Sequence, residues 1–458
     1  MTRDLATLRR DGQQIWQAGL DAVRSDRLVE ATVRVEGPTL WVADEAIDLA
    51  RVRRIAIVGA GKAGAGMAAG LERALGPRLL AEKQALGWIN VPADCVRPLK
   101  HVRLHAARPA GVNEPTAEGV RGAEEILRIV AGLVPDDLCF MLISGGGSAL
   151  LPAPAAGVPL ADKLAITRHL SASGANIAEL NTVRKQLSRI KGGGLARACR
   201  AGRLFSLIIS DVPGDPLDVI ASGPTVENPS SALDALAVLQ RYEAARAVPA
   251  VVEFVERLAA SAVAGGSAGA KAAASACQVT NLVIGNNALA VDAAGIVAER
   301  LGYSHAMVVA AEPEGMAESV GEHLAAMARS MLKGTGPDCL ISGGEPVVKL
   351  VAADRRGKGG RNQQLVLAAG VALAELGADA KRIFILSGGT DGEDGPTDAA
   401  GAWIDGDVLA RAATAGLDPR AFLARNDAYH FFEPLHALLK TGPTDTNVCD
   451  VRVVLVAR

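Results

Sequence analysis

Residues able to bind charge recur where apolar runs end. Ser144-Gly145-Gly146-Gly147-Ser148 closes "LCFMLIS", Ser342-Gly343-Gly344-Glu345 closes "DCLISGG", and Ser387-Gly388-Gly389-Thr390 closes "RIFILSGG". A glycine turn at such a point lets the backbone approach a ligand, because glycine takes positive φ at little cost. Successive N–H groups there form a nest for an anion, and a helix that follows adds partial positive charge. One such turn is ordinary punctuation. Three serine-marked copies point to anion binding.

Cations stand in further glycine turns. Lys62 lies inside Gly59-x-Gly61-x-x-Gly64, and Lys191 precedes Gly192-Gly193-Gly194. Arg184, Ser188 and Lys191 are spaced to share one helix face. Arg361 and Asn362 follow the glycines of "GKGGRNQQ", where a guanidinium can reach phosphate oxygens. Acidic loops complete the inventory. "SDVPGDPLDVIASGPT" holds Asp211, Asp215 and Ser222, and "TDGEDGPTDAAGA" holds Asp391 and Asp394. Carboxylates beside phosphate nests suit a hard cation such as Mg²⁺ shared with substrate phosphates. Asp391, Asp394 and Asp215 are the expected metal ligands, and Asp211 is grouped with Lys62 and Arg361 as catalytic. Glu345 and the serines, glycines, Asn362 and Thr390 of these turns are the expected substrate and phosphate contacts.

The Gly59-x-Gly61-x-x-Gly64 turn matches a dinucleotide fingerprint in form only. That fingerprint wants an acid about 20 residues on, at the end of the next strand. The next strand carries Asn90 there, and Asp94 lies beyond a proline.

Positioning these turns requires strands and helices in alternation. Apolar runs at 54–58, 85–91, 138–144 and 204–210 read as strands, with helices at 115–130 and 160–173 between them. That rhythm predicts a parallel sheet covered on both faces. Strands resume at 279–285, 306–311, 338–344, 382–389 and 451–457, after the small-residue stretch 261–275, read as a linker. The expected fold class is α/β, with two α/β domains at 1–255 and 276–458, both with largely parallel sheets.

Composition narrows the partners. A net charge of -2 and 3% aromatic residues leave no basic or stacking footprint for nucleic acid. The six cysteines form no CxxC pair, which predicts free thiols in a reducing, cytoplasmic setting. The opening residues are charged throughout, and no apolar run reaches the roughly 18 residues a membrane span needs.

Taken in order, "GAGKAG", "LISGGGSALL", "LSRIKGGGLA", "SDVPGDPLDVIASGPT", "GKGGRNQQ", "TDGEDGPTDAAGA" and "GPTDTNVCD" closely resemble the motifs of the glycerate 2-kinase family that carries a MOFRL module. The resemblance covers most of the chain. It implies a Rossmann-like N-terminal domain, a C-terminal domain with the MOFRL module at about 338–450, and an active site in the cleft between the domains. It also implies ATP-dependent phosphorylation of D-glycerate at its 2-hydroxyl, with Lys62 and Arg361 as essential basic residues. ATP and Mg²⁺ are the implied cofactors; the resemblance leaves a homodimer open. Gln364 stands where the family commonly has Glu, and Met316 interrupts a usual Gly-Glu-Ala triplet. Two other readings remain at this stage: an NAD(P)H-dependent hydroxypyruvate reductase and a non-catalytic sugar-phosphate-binding regulator.

Overall fold

A computed structural model of the chain describes residues 3–264 and 277–458. The stretch read as a linker, 261–275, lies outside the described residues except for its first four, which end the helix Pro249–Ala264. Fifteen strands are present among the described residues. In chain order they are β1 Val33–Glu36, β2 Thr39–Val42, β3 Glu45–Asp48, β4 Arg54–Ala60, β5 Leu86–Pro92, β6 Val102–Arg108, β7 Asp137–Ile143 and β8 Arg203–Ile209. They continue as β9 Gln278–Gly285, β10 His305–Val309, β11 Cys339–Gly344, β12 Ile383–Gly389, β13 Gly401–Asp405, β14 Leu438–Leu439 and β15 Asp450–Val456.

Contacts divide the chain into two compact units. The first holds residues 25–210 and 215–284; the second holds 1–24, 211–214 and 285–458. This division differs from the expected boundaries at both ends of the first domain. The opening helix Leu5–Ala22 belongs to the second unit, and the strand expected to open the second domain, β9, is an edge of the first unit's sheet.

The first unit's sheet runs β6-β5-β4-β7-β8-β9. The pairs β5/β6, β4/β5, β4/β7 and β7/β8 are all parallel. All seven residues of β7 are buried, as a central strand of such a sheet must be. The helix Ala117–Ala131 shows how the flanking layer is specified. Thr116 Oγ1 accepts from the Gly119 N–H at 3.0 Å to start it, and Ile126, Ile129 and Val130 turn toward the core. A small antiparallel sheet, β1-β2-β3, was not anticipated.

The second unit's sheet corrects an expectation. Its order is β10-β11-β15-β12-β13-β14, and only β10/β11 is parallel. β15 lies antiparallel to both β11 and β12, and β13 is antiparallel to both β12 and β14. A strand buried on both faces reads the same in either direction, so the apolar run "VRVVLVA" carried no sign of its polarity. The helix Leu5–Ala22 buries Leu8, Ile15, Trp16 and Leu20, and the Trp16 indole N–H donates to the Gly388 carbonyl at 3.3 Å.

Candidate active site

In the first unit the turn after β7 lies against the turn after β4. The Lys62 N–H donates to the Gly145 carbonyl at 2.9 Å, and Ser144 Oγ accepts from the Ala63 N–H at 3.0 Å. Gly61 has φ +146°, and a Cβ there would run into the Ser144 side chain. A Cβ at Gly59 would strike the Leu142 carbonyl. Gly59, Gly61 and Ser144 therefore lock the two turns together, rather than contacting a ligand as expected.

That lock presents the rest of the turn outward. The N–H groups of Gly145, Gly146 and Ser148 make no hydrogen bond to the described residues. Gly146 has φ +77°, and the place of its missing Cβ lies 3.0 Å from the Arg108 guanidinium and 3.9 Å from the Lys62 side chain. Two cations thus border an open backbone nest.

Two more cations meet at Ser148. Its Oγ lies 2.6 Å from Lys191 Nζ and 2.6 Å from Arg184 Nη2, with Ser222 Oγ at 3.1 Å. Lys191 Nζ also donates to the Ser148 carbonyl at 2.9 Å and to Ser222 Oγ at 3.2 Å. Since both nitrogens donate, the Ser148 hydroxyl keeps its proton as its one donor, which points to Ser222 Oγ in this structure. Ser222 is itself unusual. Ala221, Ser222 and Gly223 are consecutive left-handed residues, with φ of 50°, 63° and 62°. Such conformations cost on the order of 1–3 kcal/mol each for residues with a side chain, and they collect at functional sites.

Lys191 was expected on a helix face with Arg184 and Ser188. The helix ends earlier, at Ile177–Gln186, and Lys191 sits in the following turn. The N–H groups of Gly192 and Gly193 donate to the carbonyls of Ser222 and Gly223 at 3.0 and 2.7 Å. These glycines, expected to bind phosphate by their backbone, instead aim Lys191. Burial, then Arg184, Lys163 and Lys185, push the Lys191 ammonium well below its ordinary pKa. Only Lys185 of this group has a carboxylate partner among the described residues, Asp218 at 3.0 Å. Asp215, on the same loop as Asp218, takes a left-handed φ of 53°.

The second unit gathers its charges around Arg361. Its Nε and Nη2 hold Asp450 at 2.8 and 2.9 Å, and its Nη1 holds Glu345 at 2.7 Å. Burial works against the guanidinium charge, but Asp450 and Glu345 outweigh it and raise the pKa. Asp450 is fully buried. Three of the five guanidinium N–H groups are thus committed, and two are left for a ligand. Close by, Cys449 Sγ donates to the Asp211 carbonyl at 3.0 Å, and Asn447 Nδ2 donates to Asp211 Oδ2 at 3.2 Å.

Asp394, expected at a metal, does something else. Its two oxygens accept from the Asn362 and Gln363 N–H groups at 2.9 and 2.8 Å, capping the helix Arg361–Ala374 from outside. Burial pushes its carboxyl up to about 7, against those two backbone hydrogen bonds. Asn362 is likewise structural, since its side-chain oxygen accepts from Ser387 Oγ. Thr390 Oγ1 donates to the Cys449 carbonyl at 2.7 Å and accepts from the Val448 N–H at 2.8 Å. The glycines of both second-unit turns serve close packing: a Cβ would meet Asn287 at Gly343, Glu314 at Gly344, and Leu439 and Trp16 at Gly388. Of the three Ser-Gly-Gly turns, only the first forms an open nest.

No three His, Cys, Asp or Glu side chains are arranged to hold a metal ion among the described residues. Mg²⁺ does not need such a cage, because it is commonly bound by one or two carboxylates together with substrate phosphates and water. Asp391, whose Oδ1 accepts from the Glu393 N–H at 3.1 Å, would be the carboxylate to bind it. Its Oδ1 and Asp450 Oδ1 lie 3.1 and 3.5 Å from where a Cβ of Gly389 would stand.

Sequence reading missed Asp450, Arg108 and Lys163. Asp450 had a signal, as the acid that ends "GPTDTNVCD". The others sit in ordinary helix or strand contexts and become functional candidates only through the fold. Asn90 answers the dinucleotide question. Its side-chain amide donates to the Leu150 carbonyl at 2.7 Å and accepts from Trp88 at 3.1 Å. It is fully buried at the place where a ribose-binding acid would stand.

A family profile described as "Domain of unknown function (DUF4147)" matches residues 11–256, and the MOFRL family profile matches residues 338–450. The chain is 37% identical to a glycerate kinase of Mus musculus, covering 100% of this chain and 94% of that protein. It is 41% identical to a putative hydroxypyruvate reductase of Agrobacterium vitis, covering 88% and 99%. Among solved structures it resembles glycerate kinase from Thermotoga maritima, with a TM-score of 0.81, 31% identity, and coverage of 98% and 100%.

Proposed function

Because the chain belongs to the glycerate kinase family with a MOFRL domain, we propose that it transfers the γ-phosphoryl group of ATP to the 2-hydroxyl of D-glycerate. The products are 2-phosphoglycerate and ADP. The observation that carries this reading is the open Gly145–Ser148 turn bordered by Lys62, Arg108, Arg184 and Lys191. Phosphoryl transfer asks a protein mainly for positioning and charge neutralisation, which such a site supplies.

In this reading the N–H groups of Gly145, Gly146 and Ser148 and the side chains of Lys62 and Arg108 hold anionic oxygens. Ser148, its oxygen held by Lys191 and Arg184, turns its O–H from Ser222 to donate a hydrogen bond to the glycerate carboxylate. Asp450 and Glu345 fix the Arg361 guanidinium so that its remaining N–H groups meet phosphoryl oxygens without reorganising. Mg²⁺ bound with the nucleotide would neutralise phosphate charge, held on the protein side by Asp391 and, secondarily, Asp211. The surroundings of Asn90 count against nicotinamide cofactor binding and so against the reductase reading.

The Cys277 thiol donates to the Cys199 sulfur at 3.6 Å, and a cytoplasmic setting is part of this proposal. Among the described residues no helix is long and apolar enough to cross a membrane. The test is product formation from glycerate with ATP·Mg²⁺, against NADH oxidation with hydroxypyruvate. ADP formation that requires glycerate supports the proposal; NADH oxidation without ADP formation refutes it.

A further inference from the structure

Lys163 is a buried amine that the phosphoryl-transfer account does not use. It lies on the helix Leu160–Ala172 and is 4% exposed. Its Nζ has one hydrogen-bond partner among the described residues, the Leu187 carbonyl at 3.3 Å. An ammonium has three N–H groups to satisfy, so this one is poorly accommodated as a cation. Lys191 differs: its Nζ meets three oxygens, those of the Ser148 carbonyl, Ser148 Oγ and Ser222 Oγ.

The charges around Lys163 explain the deficit. Arg184, on the helix Ile177–Gln186, repels the Lys163 charge, and Lys163 in turn repels that of Lys191 in the adjoining turn. Lys185 bonds to Asp218 instead. The cluster packed here is otherwise apolar: Ile166 and Leu170 of the same helix, Val183 and Leu187, and Val251 and Val255 of the helix Pro249–Ala264. His169, further along Lys163's own helix, is engaged with the Tyr242 carbonyl at 2.7 Å. Lys163, Arg184 and Lys191 form no salt bridge among the described residues. Three basic groups thus share one buried region without a counter-anion, and the anion this site binds would be the missing partner.

We propose that binding of a carboxylate or phosphorylated carboxylate at the Ser148 cradle draws a proton onto Lys163, which completes a three-cation seat for the ligand. This rests on the cradle being the glycerate site. Burial and the Arg184 charge push free Lys163 down to about 7. An added anion favours the ammonium and raises that value, so between the two values binding takes up a proton. Affinity then falls as pH rises above about 7, by up to about tenfold per pH unit while the uptake approaches one proton. Lys163 acts through Arg184 and Lys191 rather than by touching the ligand. The added charge matches the reaction, because glycerate carries one negative charge and 2-phosphoglycerate carries up to three.

The experiment is titration calorimetry of the whole chain with D-glycerate, and separately with 2-phosphoglycerate, at about pH 8. Running each in two buffers of different ionisation enthalpy counts the protons taken up. Wild type is expected to take up a fraction approaching one proton. K163M should bind more weakly and take up none. K163R should bind with no uptake and with affinity nearly flat from about pH 6.5 to 8.5, because arginine stays charged. Circular dichroism establishes that each variant is folded. Binding without uptake in wild type overturns the proposal and leaves the cradle standing. Equal uptake in wild type and K163M moves the proton elsewhere and also overturns it. Failure of both ligands to bind wild type removes the cradle assignment, and this inference with it.

Discussion

At the scale of single residues, the partners of each cation decide its work. Arg361 is oriented by Asp450 and Glu345, so its remaining donors are preorganised for a transition-state charge. Arg361→Ala should lower kcat by about 10³-fold or more, on the scale of an arginine finger, with little change in KM. Steady-state kinetics decide it, and near-normal turnover would remove Arg361 from the reaction. Arg184 has a different expectation, since it reaches Ser148 of the proposed cradle at 2.6 Å. Arg184→Ala should raise KM for glycerate by about 10-fold or more while kcat falls less, because it removes ground-state binding. Lys62, Lys191 and Arg361 were legible in the sequence because glycines flank them. Arg184 stood out only by helical spacing, and its real partner, Ser148, is 36 residues away. Asp394 was misread for a physical reason: an acid in a glycine loop looks alike whether it faces a cation or a helix end.

At the scale of elements, glycine turns and a helix cap do the positioning. The helix Arg361–Ala374 begins at a glycine with no side-chain cap of its own, and Asp394 supplies the acceptors from another loop. Burial holds a proton on Asp394 up to about pH 7, whereas the unfolded chain releases it near the ordinary 3.8. The folded chain therefore binds more protons between those values, so stability from this group is full below the lower one and is lost as pH rises through the higher. Asp394→Asn cannot ionise and removes that slope. The stability of wild type minus that of the variant should fall between about pH 5 and pH 7.5, as measured by urea unfolding. A difference that stays constant would mean the carboxylate is already ionised at pH 5. The parallel sheet of the first unit was legible, because strands and helices alternate there with turn residues between them. The second sheet's strand directions were not legible. β12 and β15 are buried along their whole length, and nothing in such a run encodes direction.

At the scale of the whole molecule, the chain begins and ends within one compact unit. Trp16 is 1% exposed and bonds to the end of β12, and Gly12 is needed because Phe384 fills the space beside it. Trp16→Ala should therefore destabilise the second unit by about 3–5 kcal/mol, although the residue lies near the start of the sequence. Unfolding followed by urea tests this; a loss below about 1 kcal/mol would detach the opening helix from that core. The account's central claim is that the assembled chain is a kinase acting on the 2-hydroxyl of glycerate. The most direct measurement is ³¹P and ¹³C nuclear magnetic resonance of the reaction of D-glycerate with ATP·Mg²⁺. A single new phosphate ester coupled to C2, formed with stoichiometric ADP, is the predicted result. An ester at C3, or no ester while hydroxypyruvate is reduced at the expense of NADH, would contradict it.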